Sequence, residues 1–257
     1  VHVITYEVSD RCAIVTIDDE ERHNPLSNEA MAELAEAVQR SAADDEVGVV
    51  VITGAGTKAF SAGGDLSGGF VDTPLQDHAA RGALAELFRA IRGNPKPVIA
   101  RVNGTALGGG FGLAVACDIT IAVEGARMGT PEIGLGLWPM MISAVLIRAM
   151  PRKVLLDMML TGRIITADEA AVMGLVTRTV PPEDLDRDVR ATADALLARS
   201  PAALALGKRA FYVVEDMDFD TALDHLHLGL TATALTEDAS EGVSAFVEKR
   251  SPEWKGR

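Results

Sequence analysis

The sequence predicts an α/β fold with largely parallel sheets, and three observations carry that expectation. Strand-like and helix-like segments alternate along the chain. Val47 to Thr53 is a short apolar, β-branched run, as expected of a strand covered on both faces. A unit of strand, glycine loop, helix and next strand also repeats, with glycine loops at Phe60-Ser-Ala-Gly-Gly-Asp-Leu66 and at Gly108 to Gly110.

In chain order, Val3 to Val8 and Ala13 to Ile17 resemble a hairpin turning at Ser9-Asp10-Arg11. From Asn28 to Ala42, Met31, Leu34, Ala35 and Val38 recur at the spacing of one helical face, with Ser27 or Asn28 as cap. Gly63 to Asp77 is rich in Gly, Asp, Thr and Pro and reads as a loop. Ala79 to Ile91 reads as a helix that stops before Asn94-Pro-Lys-Pro97. Val98 to Val102 and Ile119 to Val123 are strands flanking the second glycine turn and its helix, Phe111 to Cys117. Met141 to Arg148 and Lys153 to Leu160 read as helices separated by Pro151. Thr166-Ala-Asp-Glu169 has the capping-box pattern and opens a helix up to Met173. Val176 to Val180 is a short strand, and the chain from Leu185 onward is almost entirely helical, broken at Ser200-Pro201. There is no long linker and no low-complexity tract.

Composition narrows the function classes. The 257 residues can bury a sizeable core, and 48% hydrophobic with 24% charged residues is the balance of a folded globular protein. A formal charge of −13 argues against nucleic acid, which is bound mainly by neutralising phosphates with Lys and Arg. No apolar run reaches the roughly 20 residues of a membrane span. The start, Val1-His-Val-Ile-Thr-Tyr6, reads as a strand rather than a secretory signal. Cys12 and Cys117 lie in apolar runs without metal-ligand spacing and read as buried thiols. A cytoplasmic enzyme without metal is the expectation.

The glycine loops carry the chemistry. Glycine lets the backbone turn sharply and lets a ligand atom approach main-chain N–H groups without meeting a Cβ. The first N–H groups of a helix lack internal partners and carry the positive end of its dipole. N–H groups converging from two such loops make an oxyanion hole. Dinucleotide and P-loop glycine patterns do not occur, nor does the G-x-S-x-G elbow of serine hydrolases, and Ser61 has no obvious His partner.

With these motifs in place, the chain resembles the crotonase superfamily, the enoyl-CoA hydratase/isomerase family. The resemblance runs through Arg22-His-Asn-Pro-Leu26, Lys58-Ala-Phe-Ser-Ala-Gly-Gly-Asp65, and Lys96 to Gly110. It continues through Cys117-Asp-Ile-Thr-Ile-Ala122, Gly129-Thr-Pro-Glu-Ile-Gly-Leu-Gly136, Leu160-Thr-Gly-Arg163, Ala170 to Val176 and Glu241 to Arg250. It implies a spiral of repeated β-β-α units over 1–198 with the acyl-CoA site, and a helical region over 199–257 for trimerisation. Trimers often stack in pairs as hexamers. It also implies an acyl-CoA substrate, with coenzyme A as part of the substrate and no other cofactor.

Carried over by position, Gly64 and Gly109 supply the two N–H groups for the thioester oxygen. Hydratases of the family use two glutamates. The later is kept as Glu132, whereas the earlier falls on Gly112, which has no side chain. Glu132 alone suits a 1,3-proton shift, as in the Δ3,Δ2-enoyl-CoA isomerase branch. Three readings stay open: a hydratase/isomerase, an isomerase only, and a catalytically weak CoA-ester-binding homologue. Asp77, His78 and Glu86 lie in or after the first glycine loop as substitutes for the missing carboxylate, none assigned as catalytic. The alternative reading is that Gly112 makes room for a bulky or branched acyl chain, walled by Trp138, Pro139, Met140 and Met141 with Phe111 opposite. The resemblance further implies adenine contacts from the main chain of Ala62, Gly64 and Leu66. It places Arg22 and Lys58 near the phosphates, and Lys249, with Arg250 and Lys255, at the 3′-phosphate of a neighbouring subunit. Asp65 is expected to hold its own loop through Asx-type bonds. His225 and His227 read as surface or interface residues.

Overall fold

The computed structural model describes residues 3–66, 78 and 80–257. β1 (Ile4–Ser9) and β2 (Cys12–Ile17) form the expected hairpin, closing on Asp10 and Arg11 at φ 49° and 63°. Two successive positive φ values match the turn twist to that of the strands. β2 then pairs in parallel with β3 (Val49–Gly54), followed by β5 (Val98–Val102), β7 (Ile119–Val123) and β10 (Arg178–Val180). Every residue of β3 is buried, which its apolar run demands. The strand read at Val176 to Val180 is shorter than expected, because only its last three residues pair with β7.

α1 (Asn28–Ala43) is capped by Ser27, whose hydroxyl accepts from the Ala30 N–H at 3.1 Å. It buries Met31, Leu34, Ala35 and Val38, the face read from the sequence, and packs on α2 (Ala83–Gly93).

A second sheet escaped the sequence reading. β4 (Ala59–Ser61), β6 (Thr105–Leu107), β8 (Arg127–Gly129) and β9 (Ile164–Thr166) have three residues each, too few for an alternation pattern to register. β4, β6 and β8 run parallel, and β9 closes the edge antiparallel. The chain thus steps repeatedly from the large sheet to the small one and then into a helix: β3–β4–α2, β5–β6–α3 (Gly109–Ala116), and β7–β8–α4 (Met140–Ala149). That alternation is the repeated β-β-α spiral.

α5 (Arg152–Thr161) follows, then α6 (Ala167–Val172), with both capping-box bonds between Thr166 and Glu169 present at 3.1 and 2.8 Å. The helical tail is four helices: α7 (Leu185–Leu197), α8 (Pro201–Val214), α9 (Phe219–Ala234) and α10 (Glu237–Glu248). Side-chain caps from Ser200, Asp218 and Thr236 start the last three, so the tail breaks in two places beyond the expected Ser200-Pro201. Asp118 ties α8 to the core, accepting from Lys208 Nζ at 2.7 Å and from the Tyr212 hydroxyl at 2.8 Å. Cys12 and Cys117 are free and buried. No helix among the described residues is long and apolar enough to cross a membrane.

Candidate active site

Three loops leave the same edge of the small sheet, because β4, β6 and β8 are parallel neighbours. The loop after β4 carries Gly63 and Gly64, the turn after β6 carries Gly108 and Gly109, and the segment after β8 carries Thr130-Pro131-Glu132. Residues about 20 to 70 positions apart in sequence therefore meet at the carboxyl ends of parallel strands, where ligands of α/β proteins bind.

Hydrogen bonding sorts the N–H groups of this region. The Gly63 N–H donates to Ser61 Oγ at 3.2 Å and the Gly108 N–H to the Gly129 carbonyl at 2.9 Å. The Gly64 and Gly109 N–H groups have no partner among the described residues. They lie side by side: a methyl group on Gly109 would stand 3.7 Å from the Gly64 nitrogen. Gly109 opens α3, so its N–H is also one of the helix's unpaired donors. Two glycines make the approach possible. Gly63, at φ +97°, leaves only 2.7 Å between a would-be Cβ and the Leu107 carbonyl oxygen, and Gly108 sits at φ +51°. Leu26 pins the Gly64 loop as a short strand bridge, its N–H donating to the Gly63 carbonyl and its carbonyl accepting from the Asp65 N–H.

Glu132 overhangs this pair. Its Oε1 lies 3.0 Å from the position a Cβ on Gly108 would take. The carboxyl is half-buried, and Oε2 is buried with no hydrogen-bond partner among the described residues, as is the hydroxyl of fully buried Thr130. Burial pushes the Glu132 carboxyl above its ordinary value. A desolvated carboxyl beside two free N–H donors has the makings of a proton carrier next to an oxyanion site.

Gly112 opens no room for a large acyl group. A Cβ there would lie 2.1 Å from Ile142 Cγ2 and 3.3 Å from Phe88 Cζ, so α4 and α2 already fill the space with hydrocarbon. Glu86 does not substitute for the missing glutamate. It is exposed and paired with Arg89. His78 is exposed, and Asp77 lies outside the described residues. Phe111 points into the core, fully buried, rather than opposite the apolar wall. Helical geometry explains this, since successive residues of α3 face different directions and Gly112 already faces α4. Trp138 is half-buried against the core, Pro139 is buried, and Met140 and Met141 are exposed at the start of α4.

The residues expected around coenzyme A lie apart from one another in role. Arg22 donates to Asp65 at 2.7 Å, holding the first glycine loop, so Asp65 acts through this ion pair. Lys58 and Leu66 are exposed, and Ala62 gives its N–H to the His23 carbonyl at 2.9 Å. Lys249 is exposed at the left-handed cap of α10. Arg250 is clasped by Glu241 and Glu248, and Lys255 pairs with Glu237. His225 is half-buried and His227 exposed on α9.

Two buried amides had no role assigned from sequence. Asn24 donates to the Ala55 and Ala59 carbonyls at 3.0 and 2.7 Å. Asn103 donates to Gly56 and Ala59 and accepts from the Gly54 N–H. Together they rivet the start of β4, the strand that delivers Gly63 and Gly64. A polar residue buried inside a strand-and-turn motif is the signal that marks such positions.

The chain is similar to known proteins in sequence and fold. The family model described as enoyl-CoA hydratase/isomerase matches residues 7–257. A putative enoyl-CoA hydratase of Thermus thermophilus is 38% identical over 245 residues, covering 93% of this chain and 96% of that protein. A crotonyl-CoA hydratase of Syntrophomonas wolfei is 36% identical over 254 residues, covering 96% and 95%. The crystal structure of an enoyl-CoA hydratase from Mycobacterium smegmatis matches with a TM-score of 0.94 at 33% identity, covering 98% of each chain. With a family match along nearly its whole length and relatives of this identity, the chain belongs to the enoyl-CoA hydratase/isomerase family.

Proposed function

We propose that the protein moves a proton on an enoyl-CoA thioester, with the Gly64 and Gly109 N–H groups holding the thioester oxygen and Glu132 as the single proton carrier. The observation that carries this reading is one desolvated carboxyl standing over two adjacent, unpartnered N–H groups. The arrangement favours a 1,3-proton shift. Glu132 removes a C2 proton from a 3-enoyl thioester, and the electron pair spreads onto the thioester oxygen. The same carboxyl then returns the proton to C4, leaving the double bond between C2 and C3. Water addition asks for a second polar group to orient the water, and the Gly112 side of the site offers the hydrocarbon of Ile142 and Phe88.

Hydration is the second reading, favoured by the relatives named as hydratases. Conjugated enoyl absorbance separates the two: crotonyl-CoA loses it on hydration, and a 3-enoyl-CoA gains it on isomerisation. We expect the gain to be the faster process. No change with either substrate over several chain lengths, with acyl-CoA still bound, would instead support a CoA-ester-binding homologue. In the complex, Ala62, Gly64 and Leu66 meet the adenine through their main chain, with Arg22 and Lys58 beside the phosphates. The two buried free thiols fit a reducing compartment such as the cytoplasm.

The helical tail is proposed as the assembly surface. Phe219, Leu223, Leu226 and Leu230 follow the 4-3-4 spacing of one helical face of α9, and all are 40% or more exposed. A homotrimer, alone or stacked as a hexamer, buries this stripe and brings Lys249 to a neighbour's coenzyme A. Light scattering is expected to give a multiple of three chains for the wild type and a smaller species for Leu223→Glu/Leu226→Asp. A monomeric wild type refutes the assignment.

A further inference from the structure

We infer that Ile142 closes the acyl pocket and sets the length of acyl group the protein takes, and that it separates the reacting carbons from a second compartment. The inference rests on the proposed function and names its substrate class: short-chain enoyl thioesters of about four or five carbons.

The start of one helix orders the parts. Gly108 is the N-cap of α3, Gly112 sits one turn beyond it with its N–H donating to the Gly108 carbonyl at 3.0 Å, and Val115 follows Gly112 at i+3 on the same face. Glu132 Oε1 hangs over the first of them, at 3.0 Å from the would-be Cβ of Gly108. Ile142 covers the second, Cγ2 at 2.1 Å and Cβ at 2.6 Å from the would-be Cβ of Gly112, and is itself 2% exposed. Val115 and Ala116 floor a cleft of about 690 Å³, walled by Phe88 of α2 and by Met141 and Val145 of α4. Phe88 therefore borders both Gly112 and the cleft.

About one helical turn, 5.4 Å of rise, separates Gly108, beside the Glu132 carboxyl, from Gly112, beneath Ile142. An acyl chain whose C2 and C4 are within reach of Glu132 meets Ile142 almost at once. Ile142 is β-branched and stiff about χ1, so it cannot swing aside cheaply. Beyond it the cleft offers the hydrocarbon of Phe88, Met141 and Val145 to a longer tail if the passage were open, with Arg89, Arg92, Arg148, Glu215 and Asp216 also in its lining. The glycine at 112 thus serves to seat the isoleucine, giving a dry end wall where a carboxylate or a longer chain would otherwise stand.

The test is a chain-length profile, read two ways. Butyryl-, octanoyl- and dodecanoyl-CoA affinities are measured by calorimetry, and kcat/KM is measured for the corresponding 3-enoyl-CoA esters. In the wild type, affinity is expected to stop rising beyond about five carbons, although each buried methylene is worth about fourfold. Ile142→Ala, and independently Phe88→Ala from the other wall, should raise the eight-to-four-carbon ratio at least about tenfold. Adding Val115→Phe to Ile142→Ala should refill the cleft and reverse the gain. A residue that only packs would lower stability and leave the ratio alone.

A wild type whose affinity keeps climbing to twelve carbons overturns the inference, even if no variant folds. So does an unchanged ratio in either folded single variant. If no ester is turned over but the affinity profile shifts as stated, the proposed reaction fails and the end wall stands. If 3-enoyl-CoA is isomerised and the profile does not shift, the reverse holds.

Discussion

Glu132→Gln is expected to lower kcat by about 10³-fold while leaving acyl-CoA affinity nearly unchanged, since amide and carboxylate share a shape and only the carboxylate takes a proton. The same change should stabilise the protein at neutral pH. Burial raises the folded-state pKa of Glu132 above its ordinary value of 4.5, so the folded chain holds that proton more tightly than the unfolded one. The stability this contributes is fully present below the ordinary value and is lost as pH rises through the folded value. Glutamine has no such dependence. The melting-temperature difference between Glu132→Gln and wild type should therefore grow as pH rises from the ordinary carboxylate value through the raised one, then level off. Activity runs the other way along the same axis, because the base must be ionised: kcat/KM should climb with pH to a plateau, with an apparent pKa above 4.5. Full turnover in Glu132→Gln removes Glu132 from the reaction. A flat stability difference across pH removes the burial argument.

The second large effect is expected at Gly112. Replacing it with glutamate, the residue a two-glutamate site would carry, should destabilise the fold by at least about 3 kcal/mol rather than add a second acid. The new Cβ would meet Ile142 Cγ2 at 2.1 Å and Cβ at 2.6 Å, and the carboxylate would enter the hydrocarbon of Ile142 and Phe88. For a chain of this length that corresponds to a drop in melting temperature of about 6–12 °C. Ile142→Ala in the same chain should recover part of the loss, because the two positions share one space and cannot act additively. Thermal unfolding of the two single variants and the double variant gives the coupling. A Gly112→Glu protein as stable as wild type, with faster hydration of crotonyl-CoA, would show that the wall at Ile142 yields and that hydration needs only the missing carboxylate.

Much of this molecule is legible in its sequence because the signals are local. The face of α1, the cap at Ser27, the capping box at Thr166 and Glu169, and the buried run of β3 each follow from patterns a few residues long. Glycines at 63 and 108 announce turns because their φ values, +97° and +51°, suit few other residues. Gly64, Gly109 and Glu132 stand out by motif, and the structure brings all three to one edge.

What only the tertiary structure decided is how those motifs meet and what fills the gap between them. The small sheet is built from three-residue strands, too short for any period to show, yet its parallel pairing of β4, β6 and β8 is what gathers the three loops. Gly112 reads in sequence as an absence, and an absence does not say what takes its place. Ile142 lies 30 residues away on another helix, and its fit against Gly112 comes from helix packing, which sequence spacing does not encode. The sequence by itself pointed to the family, the alternation of strands and helices and the glycine turns, because those signals are written locally. The tertiary fold decided that Ile142 and Phe88 fill the space beside Gly112, because the packing of side chains from distant elements sets the shape of the space they leave.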